Sequence, residues 1–351
     1  MLAGLFLHAT MVQNANLVLF DLIARISANF RMGAFFAVAG LLSLYAIRKH
    51  GADPWLARRV FQIGFPTLFG LFVLAPFMSL CLSWHWYRSV VPPLPALGWW
   101  HFWFLVDLLL YAPITWWLYR TDRRTGLFAS IDAWVEANRP SVTLTILGVG
   151  LVTTMLVQLN VALATLAGPY QHAVWTLHQI LSFAPLYLFG LVLAGSPALL
   201  RRVTARTGPP LNVLGLVFTL CLASRLLPGG SDGLFATPMS PLNVITSSLC
   251  APAVTVLILR SALKIRGTPP LFRRVADASF TIYMLHFPII LVIDILIDPL
   301  HLSPYLSYAI TVGLAGLLSY LAHQLIVRRS PIAALLLNGT SPGKARPVAA
   351  E

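Results

Sequence analysis

Ionisable side chains interrupt stretches of this sequence that are otherwise apolar, among them His8, Arg31, His101, Asp107, His178, Arg225 and His286. Histidine, with an ordinary pKa of about 6.5, suits proton transfer near neutral pH. A carboxyl group such as that of Asp107 in apolar surroundings must find a partner or be neutral. Arginine presents a planar fork of donors that matches phosphate and carboxylate. Each residue also has a plain structural explanation. A lone histidine in a helical bundle, His323 included, commonly bonds a neighbouring helix. Arg31 and Arg225 can snorkel outward with their stems in lipid, and Trp99, Trp100 and Trp103 suit an interfacial aromatic belt. The clustering of these groups is a stronger signal than any one of them.

What must position them is a set of long apolar runs. Hydrophobic residues make up 58% of the 351 and charged residues only 10%, where a soluble domain carries about 25% charged. Mean hydropathy is +0.79. So few charges cannot cover a water-soluble surface, and a bilayer core takes roughly twenty apolar residues per helix. Runs of that kind occupy Asn29 to Ile47, Val60 to Trp84, Phe102 to Tyr119, Val142 to Ala167, Leu177 to Ala194, Leu211 to Leu227, Leu242 to Leu259, Val275 to Ile297 and Tyr305 to Val327. Met1 to Met11 is apolar over about half a span, which predicts a first helix truncated at its N-terminus. The expectation is an all-α integral membrane protein of about ten transmembrane helices. Residues 1–330 form a single membrane-embedded domain, and residues 331–351 a short disordered tail.

The connections between runs orient the chain, because short cytoplasmic loops retain Lys and Arg. Alternate connections hold Arg48, Lys49, Arg58 and Arg59; Arg120, Arg123, Arg124 and Arg139; Arg201, Arg202 and Arg206; Arg260, Lys264, Arg266, Arg273 and Arg274; and, in the tail, Arg328, Arg329, Lys344 and Arg346. The intervening connections hold only Arg88. This alternation predicts a multi-pass protein of a bacterial-type inner membrane with a cytoplasmic C-terminus. It also accounts for the net charge of +13 without nucleic acid. On this topology His8, Arg31, His101, Asp107, His178 and Arg225 share the outer leaflet, with His286 near mid-depth. That asymmetry suggests a polar cavity toward the outside.

Several chemistries find no footing. Cys81, Cys221 and Cys250 fall within or at the ends of runs and lack metal-ligand spacing, so no metal site is expected. There is no HExxH pair, Walker loop or dinucleotide fingerprint.

The stretch from Phe30 to Gly40, FRMGAFFAVAG, the basic Arg58 and Arg59 that follow it, Trp103-Phe104-Leu105, and Tyr283 to Pro288, YMLHFP, resemble in order and spacing the motifs of acyltransferase family 3. The Phe30-Arg31-Met32 start is most similar to the branch of periplasmic glucan succinyltransferases. Ala39 stands where the family usually has serine, and the arginine that precedes the first-helix histidine in the family would fall before Met1.

The resemblance implies transfer of an acyl group, acetyl or succinyl, from a cytoplasmic donor such as acyl coenzyme A. The acceptor is a hydroxyl of an extracytoplasmic glycan or lipid-linked sugar. Apart from donor, acceptor and membrane lipids no partner is implied, and no cofactor is permanently bound. His8 matches the family's first-helix histidine and would be the base, with Asp107 as the group that orients it. Arg31, His101, Trp103, Arg225 and His286 would bind substrate or stabilise developing charge, and Arg58 and Arg59 would hold the coenzyme's phosphates. Two other readings stay open: an exporter of a glycan or lipid precursor, and a non-catalytic membrane assembly factor.

Overall fold

The computed structural model describes residues 2–12, 17–87, 99–168, 180–226, 241–265, 267 and 269–340, with the side chains of residues 2, 3, 85–87 and 224–226 left aside. All regular structure among the described residues is helical. In chain order the helices are α1 (Leu2–Val12), α2 (Val18–His50), α3 (Ala52–Phe69), a π turn (Gly70–Leu74), α4 (Ala75–Tyr87), a 3-10 turn (Trp100–Phe102), α5 (Trp103–Thr125), α6 (Leu127–Asn138), α7 (Val142–Leu166), α8 (Ala184–Gly195), α9 (Pro197–Ala205), α10 (Gly208–Leu226), α11 (Pro241–Lys264), α12 (Pro270–Ile297), α13 (Pro304–Ala322), a second π turn (His323–Val327) and α14 (Pro331–Asn338).

Seven of these stretches are long and apolar enough to cross a membrane, the π-interrupted Ala52–Trp84 counting as one. They correspond to seven of the nine runs. The fifth run behaves differently. Ile180–Gly195 and Pro197–Ala205 meet at 106°, because Pro197 cannot continue the helix and Ser196 turns extended to cap the next one, accepting from the Leu199 N–H at 3.2 Å. The sixth run is a shorter apolar helix, and α1 has 11 residues, half a span.

One expectation is corrected. The tail was expected to be disordered from residue 331, yet it opens with α14. Ser330 caps its start, Pro331 pre-sets the first turn, and Gly339 ends it at φ 60°. Only Gly fits there, since a Cβ would stand 2.0 Å from the Gln62 carbonyl oxygen.

By backbone contacts the chain divides into two compact units, each built from separate stretches. The first comprises residues 1–27, 57–110 and 267–351, the second residues 28–56 and 111–266. In the first unit α12 is the central element, packed on α1, α4 and α13. In the second unit α11 packs on α7 and α10. There α2 and α8 cross closely because both are glycine at the contact. A Cβ on Gly40 would lie 2.1 Å from the Tyr187 carbonyl, and one on Gly190 would lie 1.8 Å from that of Ala37.

The basic residues of the connections are also structural ties. Arg48 donates to the Ala194 carbonyl at 2.8 Å, Arg202 to that of Pro140 at 2.7 Å, and Arg260 to those of Thr204 and Ala205. The carbonyls of Ala194, Thr204 and Ala205 lie in the last turns of α8 and α9, where helix geometry leaves C=O groups without a partner and the dipole favours a cation. At the bend between those helices Asp132 accepts from the Ser196 hydroxyl at 2.7 Å and from the Ala198 N–H at 2.8 Å. These bonds, with Arg201 nearby, hold its carboxyl below the usual carboxylate range.

Gly190→Ala is expected to lower stability by at least about 1–3 kcal/mol. Gly148→Ala, where a Cβ meets nothing within 4 Å, is expected to leave it unchanged or raise it by up to about 1 kcal/mol. Equal unfolding midpoints for the two variants in detergent would contradict the close crossing. Because the folded pKa of Asp132 is depressed, its contribution is complete above the unfolded value of about 3.9 and fades as pH falls through the folded value. Asp132→Asn should therefore melt below wild type at neutral pH, with the gap closing in acid; a gap independent of pH contradicts this.

Candidate functional site

Three histidines from distant parts of the chain meet in the first unit. His8 comes from α1, His101 from the 3-10 turn before α5, and His286 from α12. Their ring centroids form a near-equilateral triangle of 5.8 Å for His8–His101, 5.2 Å for His8–His286 and 5.2 Å for His101–His286. His101 and His286 are buried and His8 is half-buried. Phe287 closes one side, 4.7 Å from the His8 ring and 5.6 Å from that of His101.

The local sequence explains the arrangement. In α12, Tyr283, His286 and Phe287 stand at helical positions i, i+3 and i+4 and so share one face. His286 folds back on its own helix, with Nδ1 3.0 Å from the Ile282 carbonyl and 2.8 Å from that of Tyr283. Carbonyls only accept, so Nδ1 carries a proton, and in the neutral ring the lone pair is on Nε2. His101 approaches the same Tyr283 carbonyl through Nε2, at 3.2 Å. In that ring Nε2 carries the proton and the lone pair falls on Nδ1. The Tyr283 hydroxyl donates to the His101 carbonyl, completing a reciprocal clasp between α12 and the 3-10 turn. Pro288, inside α12, has no N–H and so removes the helical bond to the Met284 carbonyl next door. Behind the clasp the π turn brings Gly70 against the Phe102 ring, 2.9 Å from where a Cβ would stand. A π turn inside a helix frequently marks a functional site.

Comparison with protein families matches residues 1–324 to the model described as an acyltransferase domain. The chain belongs to acyltransferase family 3. Comparisons with curated proteins and with solved structures give no match. Membership in the family agrees with a multi-pass membrane protein and with acyl transfer as its general chemistry, and it rests on nearly the whole chain rather than on one motif.

The other expected site residues among those described lie on α2, α3, α5 and α10. Trp103 is half-buried in the first turn of α5. Arg58 is exposed and Arg59 half-buried in α3. Arg31 is half-buried in the part of α2 that belongs to the second unit. Arg225 lies in the last turn of α10, its side chain outside the described residues, as is the whole of His178. His323 sits in the second π turn, its Nδ1 2.9 Å from the Thr281 hydroxyl, which in turn donates to Asn338 at 2.8 Å.

Asp107 departs from its expected role. It was expected to orient His8, but it is fully buried and neither carboxyl oxygen has a hydrogen-bond partner among the described residues. It lies six residues beyond His101, roughly 9 Å further along the helix. The ring contacts of His8 are with His101, His286 and Phe287. Tyr283 and Phe287 are the site residues that the sequence reading left without roles. The i, i+3, i+4 spacing around His286 was the available signal.

A carboxyl held this way is costly to keep and cheap to replace. Asp107→Asn preserves shape and should leave thermal stability unchanged or raise it by up to about 1–3 kcal/mol. A clear loss of stability in that variant would contradict the isolation of this carboxyl.

Proposed function

We propose that this protein is a membrane O-acyltransferase that moves an acetyl or succinyl group from acyl coenzyme A on the cytoplasmic side to a hydroxyl of an extracytoplasmic glycan or lipid-linked sugar. The observation that carries this reading is the histidine triangle, two of whose rings have their proton-bearing nitrogens set by one backbone carbonyl. Acyl transfer needs a base held in place beside its substrate, and the two rings fixed by that carbonyl form, with Phe287, the walls against which His8 sits.

In this reading His8 is the base. It takes the proton of the acceptor hydroxyl as that oxygen attacks the thioester carbonyl carbon. The carbon–sulfur bond then breaks, and the departing thiolate recovers the proton, leaving an ester and free coenzyme A. His286 and His101 hold the His8 ring and donate to or accept from the groups around it, while Phe287 keeps bulk water away. Trp103 is the candidate for stabilising charge on the thioester oxygen, and Arg58 and Arg59 for the coenzyme phosphates. The Phe30-Arg31-Met32 start favours a succinyl donor and a glucan acceptor.

The test is acyl transfer by the full-length protein in vesicles supplied with acyl coenzyme A and acceptor glycan. His8→Ala should reduce product by at least about 100-fold with membrane insertion intact. Tyr283→Phe should reduce it less, since the carbonyl that holds the rings survives. Retained acylation in His8→Ala would sink the mechanism, and glycan movement without ester formation by wild type would favour an exporter instead.

A further inference from the structure

A second polar feature lies in the second unit, on the arginine-rich connections. A cleft of about 610 Å³ opens between the C-terminal end of α6, the start of α7 and α9, lined by Arg139, Arg201, Arg202 and Arg206 with a single acid, Glu136. Small-molecule sites commonly have volumes of about 300–1,000 Å³. Loop cations that merely anchor a membrane topology require no concavity.

The four guanidinium groups are not equivalent. Arg202 is occupied by the Pro140 and Arg139 carbonyls. Arg201 pairs with Glu136 at 2.7 Å across an exposed surface. Arg139 and Arg206 make no hydrogen bond through their side chains and no ion pair among the described residues. Arg139 also holds a backbone of φ 48°, a left-handed conformation that glycine adopts freely and a branched or long side chain does not. A cation is thus kept, at a local cost, where a glycine would end α6 more easily. The first turn of α7 adds the Ser141 and Thr143 hydroxyls and first-turn N–H groups that lack helical partners.

We propose that this cleft binds a phosphate group, held mainly by the forks of Arg139 and Arg206. The phosphate comes either from a soluble phosphorylated molecule or from an anionic lipid headgroup. The cleft is built from residues of the second unit alone, and the proposal does not depend on acyl transfer. Arg202 is its frame, and Arg139 and Arg206 are its reading groups. Neither side chain makes a hydrogen bond or ion pair among the described residues, and changing them leaves the fold intact.

The experiment uses the full-length protein and the Arg139→Gln/Arg206→Gln double variant, each in phosphatidylcholine vesicles. In the first arm the thermal midpoint is followed while inorganic pyrophosphate is added, against sodium chloride of matched ionic strength. In the second arm each protein is extracted from mixed phosphatidylcholine and phosphatidylglycerol vesicles, and retained lipid is counted by native mass spectrometry. Saturable stabilisation by pyrophosphate, at least about ten-fold weaker in the double variant, supports the site with a soluble ligand. A phosphatidylglycerol retained by wild type and lost by the variant supports it with a lipid. The absence of both effects, or equal effects in the two proteins, overturns it. Should the double variant fold poorly, Arg206→Gln alone carries the same comparison.

Discussion

The backbone carbonyl of Tyr283 is the point on which the candidate site turns. In the hydrocarbon part of a bilayer every polar group must be satisfied by the protein itself, and imidazole N–H groups are no exception. That carbonyl receives Nδ1 of His286 and lies within reach of Nε2 of His101. Two rings are therefore oriented by a fixed main-chain atom rather than by another flexible side chain. His8 packs into the remaining side of the triangle, its ring tilted against Phe287. The consequence is chemical as well as structural, because fixing which nitrogen holds the proton also fixes where the lone pair points.

Much of the fold was legible in the sequence, and the reasons are physical. Apolar length and the alternation of basic loops both follow from the bilayer, so the runs emerge as helices. The exceptions come from local geometry that hydropathy does not carry. Pro197 and Ser196 bend the fifth run at 106°, and Ser330, Pro331 and Gly339 write a short capped helix into a tail whose composition suggested none. Within the site, His8, His101 and His286 stood out as polar residues in apolar surroundings. Their meeting could not be read from spacing, since they lie far apart in the chain. The assigned depths also separated His286 from the other two. Asp107 shows the reverse: a carboxyl in an apolar run suggested an orienter for His8, while neither of its oxygens has a hydrogen-bond partner among the described residues.

The arginines carry a further lesson. Counted along the chain, they are a topology signal. In the folded second unit, Arg48, Arg202 and Arg260 are each bonded to main-chain carbonyls. The same charges that keep a loop on one side of a membrane thus also close the unsatisfied ends of short helices. What distinguishes Arg139 and Arg206 is that their side chains bond no main-chain carbonyl among the described residues.

The most direct test of the site is nitrogen-15 NMR of the histidine rings in the full-length protein. His101→Gln and His286→Gln variants would assign the signals at a pH where both rings are neutral. The account requires opposite tautomers, with the proton on Nδ1 of His286 and on Nε2 of His101. If both rings carry it on the same nitrogen, the Tyr283 carbonyl does not organise the site.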